Sequence, residues 1–97
     1  WRRGMARLAE LPNVAAKLSG PHMFLPNWTV ESYRPFFLET IDYFGPERAM
    51  IASNVPPDAL AKSFDEIYDS FYELTAVFSK DECRHLFHDT AARIYRL

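Results

Sequence analysis

Cysteine is nearly missing from this chain: Cys83 stands alone among 97 residues. An internal disulfide is thereby excluded, and with it a small scaffold held together by cross-links. A reducing, cytoplasmic setting is the expectation that follows. No uninterrupted apolar run approaches the roughly 18 residues of a membrane-spanning helix, so no membrane partner is expected. An excess of one charge is also lacking. Eleven Lys and Arg are scattered among thirteen Asp and Glu, for a net charge of −2. No basic patch forms, which argues against a nucleic-acid partner. Glycine is scarce at three, against seven prolines and 15% aromatic residues. That balance favours buried helices joined by stiff loops. The 48% hydrophobic and 25% charged content is globular and excludes disorder.

The chain opens on Trp1 without an initiator methionine or a signal-peptide apolar region. Trp1, Met5, Leu8 and Leu11 make one helical stripe that is already under way at the first residue, which suggests a piece of something longer. Pro12-Asn13 stops it. Val14 to Ser19 reads as a strand, with Val14, Ala16 and Leu18 on one face and Ala15, Lys17 and Ser19 on the other. The loop from Gly20 to Trp28 carries Met23, Phe24, Leu25 and Trp28, and is apolar enough to fold over something. Thr29 can cap a helix to about Phe44, and Pro35 suggests a separate first turn. Phe37, Ile41 and Phe44 are its buried stripe. Ala49 to Ser53 is a second strand.

After the turn at Asn54 to Asp58, a helix is expected from Pro57 or Asp58 to about Phe78. Leu60, Phe64, Ile67, Phe71 and Leu74 would form its inner face. Ser79 and Glu82 have capping-box spacing and open a last helix, with Leu86, Ala91 and Ile94 inward. Strand, helix, strand implies a parallel crossover. Two parallel strands alone are a poor fold, so the pattern fits the end of a larger α/β protein. The polar second face of the first strand favours a closed barrel over an open doubly wound sheet. Its inner face can carry polar groups near the carboxyl rim. Lys17 would then point inward, with Ser19 and Asn54 at the rim.

Six segments carry a family resemblance. They are Trp-x-x-Gly-Met-x-x-Leu-Ala-x-Leu-Pro-Asn-Val (Trp1 to Val14), Lys-Leu-Ser-Gly (Lys17 to Gly20), Glu-Ser-x-Arg-Pro (Glu31 to Pro35), Phe-Gly-Pro-Glu-Arg-x-Met (Phe44 to Met50), Ser-Asn-x-Pro (Ser53 to Pro56) and Phe-His-Asp-x-Ala-Ala-Arg-x-Tyr (Phe87 to Tyr95). In this order they resemble the C-terminal part of the amidohydrolase-2 family, metal-dependent hydrolases of TIM-barrel fold that include lactonases. The resemblance implies an α/β fold: residues 1–97 as the C-terminal portion of one (β/α)8 TIM-barrel domain, holding its seventh and eighth strands. A whole barrel runs to about 250 residues. The family's His-x-His pair and other metal ligands lie on earlier strands. A divalent metal, zinc or manganese, is therefore expected in a full-length protein and none on this segment alone.

The family's eighth strand commonly ends in an aspartate that activates water, and the matching position is Asn54. An amide does not take up that proton at neutral pH, but it can orient water or hold a substrate oxygen. The family also contains a Ser-Asn-x-Pro version with a following aspartate, here Asp58, which otherwise reads as a helix cap. Asn54 is the expected catalytic position. Lys17, Ser19, His22 and Trp28 are the expected substrate-binding residues, set against plainer readings as a paired lysine, a rim hydroxyl, a solvated loop histidine and a packing ring. His85 and His88 sit on an outer helix and read as surface residues rather than ligands. Two functions follow. One is hydrolysis of a lactone or related cyclic ester by water attack, with a small-molecule substrate and self-association as the expected partners. The other is a non-catalytic remnant or interaction module of the barrel end. Sequence upstream of Trp1 separates them.

Overall fold

A computed structural model describes residues 1–97. Helix α1 spans Arg2–Ala9, strand β1 Ala16–Leu18, helix α2 Val30–Phe44 and strand β2 Ala49–Ile51. Helices α3 (Phe64–Thr75), α4 (Lys80–Arg84) and α5 (Thr90–Tyr95) follow. Short 3-10 turns sit at Pro21–Met23, Pro46–Arg48 and Pro57–Leu60. No helix is long and apolar enough to cross a membrane.

The strands pair in parallel, with Ala16 opposite Ala49, Lys17 opposite Met50 and Leu18 opposite Ile51. Side chains alternate across a strand, so Lys17 and Met50 share one face. Ala16, Leu18, Ala49 and Ile51 share the other. That second face meets the helices: Leu18, Ala49 and Ile51 belong to one core cluster with Phe37, Ile41, Ile67, Phe71, Leu74 and Leu86. The rings of Phe37 on α2 and Phe71 on α3 stack at 6.0 Å between centroids.

Thr29 caps α2 as its sequence predicts. Its hydroxyl accepts the Ser32 N–H at 3.1 Å, and the Ser32 hydroxyl accepts the Thr29 N–H at 2.8 Å. Pro35 does not split the helix; it lies inside one continuous element at an exposed position, where its missing N–H costs least. Gly45, at φ 75°, ends the helix and sends its N–H back to the Ile41 carbonyl at 2.7 Å.

Four further expectations need correction. Both strands are shorter than predicted, at three residues each. The helix expected from Pro57 or Asp58 is two elements. The N–H groups of Ala61 and Lys62 bond back to the Asp58 carbonyl and close a tight turn, and α3 starts afresh at its own capping box of Ser63 and Glu66. Leu60 and Phe64 therefore fall off the inner face, at 86% and 54% exposure. The last helix is also not uniform. A π-helical turn over His85–Asp89 adds a residue to one turn and shifts the inward position to Thr90, which is fully buried, while Ile94 is 36% exposed. Lastly, α1 forms but buries no residue fully; Trp1, Leu8 and Leu11 stay exposed.

Candidate active site

Both strands leave the sheet at their carboxyl ends through a residue in the left-handed region, Gly20 at φ 68° and Asn54 at φ 56°. Such backbone suits glycine and is tolerated by asparagine and aspartate. The two exits meet. A Cβ on Gly20 would stand 3.1 Å from Asn54 Nδ2, so a side chain there would crowd Asn54 as well as strain φ. Asn54 Nδ2 donates to Asp58 Oδ1 at 2.9 Å, and the Asp58 N–H donates to the Asn54 carbonyl at 3.2 Å. The Val55–Pro56 peptide between them is cis.

Asp58 is fully buried. It does not cap α3, which Ser63 does. Its second oxygen, Oδ2, is enclosed without a hydrogen-bond partner, as is the indole N–H of Trp28. Tyr33 on α2 completes this buried cluster. Burial pushes its phenol well above the ordinary value, and the negative charge of Asp58 adds to the shift. Trp28 lies edge-on to Tyr33 at 5.9 Å, and Lys62 Nζ sits 5.0 Å from the centre of the indole, a cation–π contact.

The predicted site residues divide. Asn54 lies in this cluster at the carboxyl end of β2. Trp28 is adjacent to it and belongs to the core. Lys17 is exposed and Ser19 half-buried. Both line an apolar groove of about 410 Å³ with Trp1, Met5, Phe24 and Phe36, beside the edge of β1 that β2 leaves unpaired. His22 is half-buried in the 3-10 turn after β1, and its Nδ1 donates to the Pro26 carbonyl at 3.0 Å. In the neutral ring that leaves the lone pair on Nε2. No three His, Cys, Asp or Glu residues converge on a point that could hold a metal ion.

The sequence alone does not mark Gly20 or Tyr33 as site residues, or Asp58 as buried. The available signal was Asn54 and Asp58 bracketing a two-proline turn. A carboxylate four residues after a rim amide, across so stiff a turn, can fold back onto it.

These features are a parallel strand–helix–strand unit with polar side chains gathered where the strands end, the usual place for chemistry in α/β proteins. The amidohydrolase family profile matches residues 1–97. The chain belongs to that family. It is 50% identical over its whole length to the uncharacterized protein y4mH of Sinorhizobium fredii, covering 33% of that protein. It is 35% identical to the L-fucono-1,5-lactonase of Burkholderia multivorans, again over the whole chain and 35% of the relative. A crystal structure of an amidohydrolase from Burkholderia multivorans with bound zinc superposes at a TM-score of 0.91 with 32% identity, over all of this chain and 37% of that one. A second crystal form of that amidohydrolase, with bound HEPES, gives the same TM-score of 0.91. The chain spans about a third of the length of the relatives it matches.

Proposed function

We propose that residues 1–97 are the C-terminal portion of a (β/α)8 barrel hydrolase, its seventh and eighth strand–helix units, and that the complete protein opens a lactone or related cyclic ester. Water adds across the ester carbon–oxygen bond, the ring oxygen leaves as a hydroxyl, and the product is a hydroxy acid. The observation that carries this reading is Asn54. It stands past the carboxyl end of β2 with its amide held by Asp58 at 2.9 Å, and the sequence resemblance matches it to the family's water-activating aspartate.

Other features support the same reading. Lys17 shares its sheet face with Met50 beside the free edge of β1, and its ammonium suits a substrate carboxylate or lactone oxygen. Ser19 follows on the same face, nearer the rim. His22 offers Nε2 from the loop after β1, and Trp28 closes that loop as a buried ring against Tyr33. The exposed stripe of α1 and the free edge of β1 suit further barrel elements. The lactonase relative favours a sugar lactone as the substrate class.

A zinc or manganese ion is part of the family expectation, but the residues of this chain do not fit one. A catalytic zinc takes about three protein ligands, and the one carboxylate at the strand ends, Asp58, is buried against Asn54. Such a metal would be held by residues outside these 97.

The test is turnover of L-fucono-1,5-lactone and related sugar lactones by the complete protein. Asn54→Ala is expected to lower kcat/KM at least tenfold, about 1.4 kcal/mol of transition-state stabilisation. An unchanged rate would place Asn54 among purely structural residues and remove the main support for the reading.

A further inference from the structure

Left-handed backbone at position 54 would accept aspartate as readily as asparagine. The neighbour decides between them. Asp58 Oδ1 lies 2.9 Å from the side-chain nitrogen. A carboxylate at 54 would set two acceptors, both negative when ionised, at hydrogen-bond distance. An ionised carboxylate only accepts, so an amide beside it must present its NH2 end. The orientation of the Asn54 amide is therefore fixed by chemistry. Nδ2 is turned inward between Gly20 and Asp58, and Oδ1 is turned the other way. Oδ1 accepts no hydrogen bond within the chain and is not among its enclosed unpartnered atoms.

Asp58 itself is excluded from direct contact with substrate. It is fully buried by this chain's own loops, and further barrel strands could only add cover. Yet it is only half satisfied, because Oδ2 has no partner. A side chain kept solely for stability would be better served by an apolar replacement than by a buried carboxylate with one free oxygen.

We propose that Asp58 is a positioning residue that locks the Asn54 amide with Oδ1 facing the barrel mouth, making Asn54 a dedicated hydrogen-bond acceptor for a substrate hydroxyl or for water. The proposal rests on the reading of Asn54 as a site residue. It adds that the residue serves through one defined atom, and that the carboxylate four positions on selects that atom. A polyhydroxylated ring, with hydroxyl donors around its rim, is the substrate chemistry such an acceptor takes.

The experiment compares Asn54→Ala, Asp58→Asn, Asn54→Asp and the exchanged pair Asn54→Asp/Asp58→Asn in the complete protein. An asparagine at 58 can donate or accept, so the Asn54 amide is no longer locked and kcat/KM is expected to fall at least fivefold. Asn54→Asp alone sets two carboxylates together and is expected to fall further. The exchanged pair restores one amide donating to one carboxylate and again presents an oxygen at 54, so it should recover at least fivefold over the poorer single variant. In the unaltered protein, one of the two Asn54 side-chain N–H protons should exchange slowly with solvent, assigned by its loss in Asn54→Ala.

A fast-exchanging Asn54 amide overturns the lock, even if Asp58→Asn does not fold. Full activity in Asp58→Asn, or no recovery in the exchanged pair, overturns the positioning role while Asn54→Ala still reports on the site. If Asn54→Ala is fully active, the site reading fails, and the positioning proposal with it.

Discussion

Arg48 and Ala9, 39 positions apart, are joined by a 2.9 Å hydrogen bond from Nη2 to the carbonyl that ends the first helix. The same guanidinium donates through Nη1 to the carbonyls of Leu11 at 2.9 Å and Val14 at 3.2 Å. One cation thus satisfies three carbonyls where α1 stops and the chain turns toward β1. It also meets the negative end of the helix dipole. Since α1 buries no residue fully, polar ties matter to it: this clasp at its carboxyl end, and the Arg2–Glu39 ion pair to α2 at its amino end, at 2.6 Å.

Arg48→Lys should therefore loosen α1 selectively. A lysine keeps the charge but cannot span three carbonyls with a rigid fork. Hydrogen bonds to charged groups contribute about 1.5–3 kcal/mol when well shielded, and this one is half-exposed, so a loss of about 1–2 kcal/mol is expected. Urea unfolding measures the loss. Amide exchange should accelerate from Arg7 to Val14 and stay unchanged in α3. Uniform acceleration, or none, would count against the clasp.

Gly20→Ala should cost stability and disturb a residue 34 positions away. The left-handed φ of 68° penalises any Cβ by about 1–2 kcal/mol. The new methyl would also stand 3.1 Å from Asn54 Nδ2, which Asp58 prevents from swinging aside. A lowered urea midpoint together with a shifted Asn54 side-chain amide resonance is expected. Destabilisation with an unmoved resonance would mean that the two loops do not press on each other.

Local features of this fold were legible in its residues, and long-range ones were not. The caps at Thr29 and Ser79 lie within four residues of their partners, and the sequence shows both. The Ser63–Glu66 box has the same spacing, but the apolar stripe was extended through it to Leu60. A turn closed by backbone bonds to Asp58 leaves no trace in that periodicity. Thr90 was missed for a different reason. Its hydroxyl is buried because it donates to the Pro46 carbonyl at 2.9 Å, a partner 44 positions earlier. A regular helical period points to Ile94 as the core residue, and the π-helical turn displaces that period. Asn54 was found by position, whereas its lock required knowing that Asp58 folds back.

Tyr33 makes the buried cluster sensitive to alkaline pH. Its phenol, 3% exposed, is pushed above the ordinary value by burial first and by the Asp58 charge second. Below about pH 10 the phenol is neutral in both folded and unfolded chains, and stability does not depend on it. Above that value the unfolded chain releases its proton first. Folding stability is then lost progressively as pH rises toward the higher folded-state value. Tyr33→Phe removes this contribution, so its stability should decline less than that of the unaltered chain between pH 9 and pH 11, measured by urea unfolding at each pH. Phenolate absorbance should show Tyr33 lagging the other four of the five tyrosines until the chain unfolds. Asp58→Asn should shorten that lag without abolishing it, because burial is the larger cause and remains. A lag lost completely in Asp58→Asn would reverse that order and make the carboxylate the dominant influence on the ring.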